Sequence, residues 1–134
     1  MDENEISKVI VDAAIEVHRE LGGPGLLESV YESALAFELE DRGLTVERQR
    51  AVPIVYKGKR LPGELRLDMV VNDKVIVECK ATTIYSSVFE AQALTYLRLL
   101  NMKLALVINF GKARASQGIH RVVNGLEEGD SKHD

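Results

Sequence analysis

Cysteine, tryptophan and proline are scarce in this chain, whose 134 residues include one cysteine, no tryptophan and three prolines. With Cys79 alone, an internal disulfide and a cysteine-built zinc site are excluded, and three scattered histidines offer no cluster in their place. Any metal must then be held mainly by carboxylates. Four tyrosines and three phenylalanines leave little material for stacking nucleobases. The longest apolar stretch, around Leu104 to Phe110, falls far short of the roughly 20 residues that span a bilayer. The opening Met1-Asp2-Glu3-Asn4-Glu5 is acidic where a secretory signal is basic, so a cytoplasmic location is the expectation.

What the chain does have is core-forming material: 46% of its residues are hydrophobic and 28% charged, the mix of one globular domain. That domain is expected over residues 1–125, followed by a flexible acidic tail at 126–134. The net charge of −4 argues against a polyanionic partner until its distribution is considered. Residues 1–41 carry eleven acids and two bases, whereas residues 42–125 carry six acids and fourteen bases. A polyanion responds to the local field, so the second part can offer a phosphate-binding face. A run of acidic solvated helices followed by a mixed sheet explains the same asymmetry equally well.

Apolar residues at Ile6, Val9, Ile10, Ala13, Ala14, Val17 and Leu21 predict a helix over 6–21. It ends at Gly22-Gly23-Pro24-Gly25, and a second helical pattern runs from Leu27 to Arg42, closing at Gly43. The glycine-rich link lacks the Gly-Lys-Ser/Thr ending of a phosphate loop and is followed by the anionic Glu28, which makes it a connector. Short β-type runs follow at Leu44–Arg48, Val52–Tyr56, Leu65–Val71 and Val75–Lys80. A third helix is expected over Ser87–Leu100, then strands at Lys103–Phe110 and Ile119–Val123. The order predicts an α/β or α+β arrangement around a mixed sheet.

Chemistry concentrates between Asp68 and Lys80. Alternation along a strand puts Glu78 and Lys80 on one face and Val77 and Cys79 on the other, which leaves Cys79 as a small buried hydrophobe. A three-residue loop of Asn72, Asp73 and Lys74 pairs Val71 with Val75 and sets Asp68 opposite Glu78, whereas a two-residue turn sends the two acids to opposite faces. Two converging carboxylates repel, and a hard divalent cation such as Mg²⁺ relieves the repulsion. The competing reading is a structural salt bridge between Glu78 and Lys80. On the third helix Gln92 and Tyr96 share a face; on the second, Glu28, Tyr31, Glu32 and Leu35 form a stripe. Arg48, Arg50, Lys57, Lys59, Arg60 and Arg66 form a basic cluster suited to phosphate contact or to a solvated hairpin. His120, beside Arg121 on an edge segment, reads as a surface residue.

Gly25-Leu26-Leu27-Glu28-Ser29-Val30-Tyr31 resembles the signature of the GxxExxY proteins, a group within the PD-(D/E)XK nuclease superfamily. The resemblance runs from Ile6 to Asn124. It takes in Ala14-Ile15-Glu16-Val17-His18, Val55-Tyr56-Lys57-Gly58, Arg66-Leu67-Asp68, Val75 to Lys80, Glu90-Ala91-Gln92, Leu94 to Leu97 and Ile108-Asn109-Phe110-Gly111. It implies a restriction-endonuclease-like three-layer core, with a mixed four-stranded sheet flanked by helices and two helices leading the chain. It also implies a nuclease that hydrolyses phosphodiesters, in DNA, with Mg²⁺ or Mn²⁺. Asp68 and Glu78 match the metal-binding acids and Lys80 the catalytic lysine. Gln92 and Tyr96 match the Gln-x-x-x-Tyr element of the RecB-like branch. Glu28 matches the helix-borne acid that completes the metal site, with Glu32 one turn on as the other choice. Leu67 stands where the superfamily name has proline. The superfamily also holds inactive members, so a silent nucleic-acid-binding or protein-interaction domain is the alternative, and a homo-oligomer is compatible with either.

Overall fold

In the computed structural model, which describes residues 1–127, three helices enclose a five-stranded sheet between two separate apolar layers. Helix α1 spans Glu3–Glu20, held at its start by a capping box between Asp2 and Glu5, and α2 spans Glu28–Asp41. Strands β1 (Val46–Tyr56), β2 (Lys59–Val71) and β3 (Val75–Lys80) follow. Helix α3 (Val88–Leu100) then crosses to β4 (Leu104–Asn109), and β5 (Ile119–Val123) closes the sheet. Of the expected tail, residues 128–134 lie outside the described part.

The strand order is β1-β2-β3-β4-β5, antiparallel throughout except for the parallel β3–β4 pair, which needs α3 as its crossover. Alternation sorts the side chains. Val75, Val77 and Cys79 of β3 with Leu104, Leu106 and Ile108 of β4 pack under Ile6, Ile10, Val17, Leu35 and Leu39 of α1 and α2. Ile76, Ala105 and Val107 face the other way, toward Ala93 and Leu97 of α3. Burying side chains of this kind contributes roughly 1.5–3 kcal/mol each, which is why the central strands read as continuous apolar runs.

Two expectations require correction. The sheet has five strands, where the resemblance implies four, because Ile119–Val123 pairs in full with β4. Leu44–Arg48 and Val52–Tyr56 are not two strands. Backbone pairing with β2 holds on both sides of Gln49, at Arg48 with Met69 and at Arg50 and Ala51 with Leu67 and Arg66, so β1 crosses an interval whose side chains gave no strand pattern. Beyond the sheet the β1–β2 ribbon continues to a turn at Lys57-Gly58, and its outer residues are exposed on both faces.

Candidate active site

The turn between β2 and β3 determines the site. Asn72 and Asp73 take left-handed backbone angles (φ 51° and 55°), which their short polar side chains tolerate. Lys74 is the extra residue, so Val71 pairs with Val75 and Met69 with Val77, the register that directs the acids together. Regular pairing stops there. The Asp68 N–H donates to Glu78 Oε2 at 2.8 Å, and the Cys79 N–H donates to Asp68 Oδ2 at 2.8 Å. Each carboxylate thus takes the place of a ladder carbonyl across the fork between the strands. Alternation also breaks here: Leu67 and Val70, three apart, both pack on the α3 side.

Charge is crowded at this fork. Glu78 is 8% exposed. Desolvation and the neighbouring Asp68 push its pKa up to about 7, against the pull of the Asp68 N–H and of Lys80. Desolvation also raises Asp68, opposed chiefly by the hydrogen bond from the Cys79 N–H. Cys79 is fully buried on the opposite face, and its thiol is held well above the usual range, first by burial and then by Asp68, so it is inert as a nucleophile.

Helix α2 brings the remaining acids. Tyr31, fully buried and stacked on Phe110 with ring centroids 4.8 Å apart, donates its hydroxyl to the Gly23 carbonyl at 2.7 Å and receives the Leu26 N–H. It therefore staples the link that leads into Glu28. Glu28 is exposed as a residue, yet its carboxyl is crowded enough that desolvation raises its pKa, with Lys80 pulling it down and Asp68 and Glu32 adding to the rise. Glu32 is buried and engaged: Arg48 Nη2 donates to it at 3.0 Å and Gln49 Nε2 at 3.1 Å. Gln49, at φ 52°, falls between the Arg48–Met69 and Arg50–Leu67 pairs of the β1–β2 register, so it borders Asp68, whose ionised form its side chain favours, while its amide holds Glu32.

Lys80 shares the α3 face with Glu78. Among the described residues no carboxylate lies within 4.0 Å of its ammonium, so the structural salt bridge does not form. Its Nζ sits 4.6 Å from the centroid of the Phe89 ring. The backbone beyond Lys80 is fixed by the fully buried Asn109, whose side chain accepts from the Thr82 and Gly111 N–H groups and donates to the Thr82 carbonyl. Tyr96 feels the site: burial raises its phenol, and Glu78 and Asp68 add to the rise. Gln92, one turn earlier, is exposed.

Of the basic cluster, four members are already paired. Arg48 is bound to Glu32, Arg50 to Asp73 at 3.0 Å, and Arg66 and Arg60 to Glu64 at 3.2 and 4.0 Å. Lys57 and Lys59, at the exposed ribbon tip, have no carboxylate within 4.0 Å among the described residues. Sequence reading missed Gln49, Phe89 and the role of Asn109. Only Asn109 left a signal, as the one polar residue in a buried apolar strand.

Among the described residues no three Asp, Glu, His or Cys side chains stand close enough to form a ready-made metal cage. The donor chemistry still suits a hard cation that takes one or two carboxylates and keeps several waters, because two acids crowd one fork and Lys80 is not ion-paired with them. No described helix is long and apolar enough to cross a membrane. No curated protein and no solved structure matches the chain. A family model described as the PD-(D/E)XK nuclease superfamily matches residues 4–122, a span that holds all five strands but for the last residue of β5, together with Glu28, Asp68, Glu78 and Lys80. On that match, and with Asp68 facing Glu78-Cys79-Lys80 across the fork, the chain belongs to the PD-(D/E)XK nuclease superfamily.

Proposed function

We propose that this protein is a divalent-metal-dependent nuclease that hydrolyses phosphodiester bonds in DNA. The observation that carries the reading is the Asp68–Glu78 fork, where two crowded carboxylates lie beside a lysine that neither of them neutralises. In this reading Asp68 and Glu78 hold Mg²⁺ or Mn²⁺. Glu28 completes the acid set, while Glu32 is occupied by Arg48 and Gln49. Such an ion supplies positive charge for the phosphoryl oxygens and makes water a stronger acid. Lys80 places its ammonium where charge develops on phosphorus or where the attacking water must be held. Tyr96, whose raised pKa keeps it protonated, offers a hydrogen-bond donor at the edge of the site, with Gln92 one turn away. Lys57 and Lys59, and the arginines as they exchange partners, contact the phosphate backbone.

The test is cleavage of single-stranded, duplex and branched DNA with Mg²⁺ or Mn²⁺ by wild type, Asp68→Asn and Lys80→Ala. Asp68→Asn loses cleavage together with metal affinity. Lys80→Ala keeps or strengthens metal binding and loses turnover by about a hundredfold or more. A Lys80→Ala protein that cuts at the wild-type rate sinks the mechanism. A wild type that neither cuts nor is stabilised by metal favours the silent binding domain.

A further inference from the structure

A lysine beside two carboxylates normally collapses onto one of them, and here it does not. Three carboxyl groups, Glu28, Asp68 and Glu78, feel the charge of Lys80. None comes within 4.0 Å among the described residues, and the ammonium rests over the Phe89 ring at 4.6 Å. A cation is attracted to an aromatic face, most strongly where water is excluded, and that attraction favours this arrangement of the lysine over its other rotamers. The ring can therefore hold the side chain in one arrangement.

Phe89 is itself braced on two sides, by the apolar layer and by Tyr85. It sits at the start of α3, partly buried against the α3-side layer. Its ring meets Tyr85 edge-on at 5.3 Å and 73°, and Tyr85 lies flat against His120 of β5 at 4.0 Å and 11°. His120 Nδ1 in turn stands 3.7 Å from Glu90 Oε2. Ring by ring, the loop after β3, the first turn of α3 and the edge strand β5 transmit a fixed position to Lys80.

We infer that Phe89 is the positioning residue of Lys80, its ring holding the ammonium off Asp68 and Glu78 so that it stays available to substrate, with Tyr85 and His120 as the buttress behind it. The inference rests on the nuclease reading only for its kinetic consequence, since the placement can be read without activity. In protein labelled at lysine Cε, the Lys80 methylene, identified by its loss in Lys80→Arg, should resonate upfield of the lysines that lie over no ring, because its ammonium rests over Phe89; Lys57, over Tyr56 at 5.4 Å, is set aside in that comparison. Phe89→Leu should return that signal to the position of surface lysines, and Phe89→Tyr should keep it upfield; the dispersion of the remaining spectrum reports that each variant is folded.

In the cleavage assay, Phe89→Leu should lower kcat about tenfold, within the range of one cation–π contact, leave KM and Mn²⁺ affinity as in wild type, and be rescued by Phe89→Tyr. A wild-type Lys80 signal among the surface lysines, or one that stays upfield in Phe89→Leu, overturns the inference whether or not the protein cuts DNA. An undiminished kcat in Phe89→Leu overturns its catalytic part. Absence of cleavage by wild type counts against the nuclease reading alone.

Discussion

At the scale of single residues, the site is built from groups whose ordinary preferences are opposed. Glu78 is buried beside another carboxylate, and its pKa rises from 4.5 to about 7. The folded protein therefore binds a proton at Glu78 more tightly than the unfolded chain does. The stability this contributes is present in full below about pH 4.5 and is lost as pH rises through about 7. Metal-free wild type should weaken across that window. Glu78→Gln, which keeps the acceptor for the Asp68 N–H, should weaken less, since only the raised Asp68 and Glu28 remain, and should be the more stable by about 3 kcal/mol at pH 8. Denaturant melts of both proteins at pH 4.5 and 8 check this; parallel pH profiles contradict it. Alternation puts Glu78 and Lys80 on one face, and a three-residue loop is needed to bring Asp68 to it; their metal-binding and catalytic roles come from the family resemblance rather than from spacing. Gln49 and Phe89 are not legible in the sequence. Gln49 reaches the site from the neighbouring strand and Phe89 from α3, and nothing in the local pattern around either residue shows what lies opposite.

The elements position these residues through a few backbone constraints. Asn72 and Asp73 accept left-handed geometry and set the β2–β3 register, the one expected of a three-residue loop rather than a two-residue turn. The limits of β1 were not legible, because strand pairing needs only backbone groups and the interval Gln49-Arg50-Ala51 shows no apolar alternation. Past β4 the chain turns back so closely that a Cβ on Gly111 would lie 2.2 Å from the Thr82 carbonyl oxygen. That carbonyl accepts from Asn109 and lies two residues beyond Lys80. Gly111→Ala must therefore displace backbone rather than a flexible side chain, at a cost of about 1–3 kcal/mol. The displacement should reach Lys80, so cleavage should fall further than stability alone explains. Thermal melts and turnover measured on the same preparation test this, and an Ala variant with wild-type stability refutes the close approach.

Over the whole molecule, acidic helices α1 and α2 lead a more basic remainder, and the exposed β1–β2 ribbon carries Lys57 and Lys59 at its tip. The charge asymmetry was evident from composition, but the projection of the ribbon was not, since no sequence pattern distinguishes a strand inside a sheet from one that outruns it. If the ribbon contacts phosphates, DNA affinity falls steeply with salt, and neutralising Lys57 and Lys59 flattens the slope of log affinity against log salt by about one unit each. A slope indifferent to both substitutions moves the contact elsewhere. The three-layer arrangement and both apolar layers follow from amphipathic helices and continuous central strands. The point where the layers meet the fork depends on the broken pairing at Asp68, which only the fold reveals. If Asp68 and Glu78 together hold a divalent ion, calorimetric titration of Mn²⁺ into wild type and Asp68→Asn at pH 8 separates the two proteins. Wild type should bind saturably and Asp68→Asn weakly or not at all; equal binding by the two proteins, or none by wild type, rules out a shared ion at the fork.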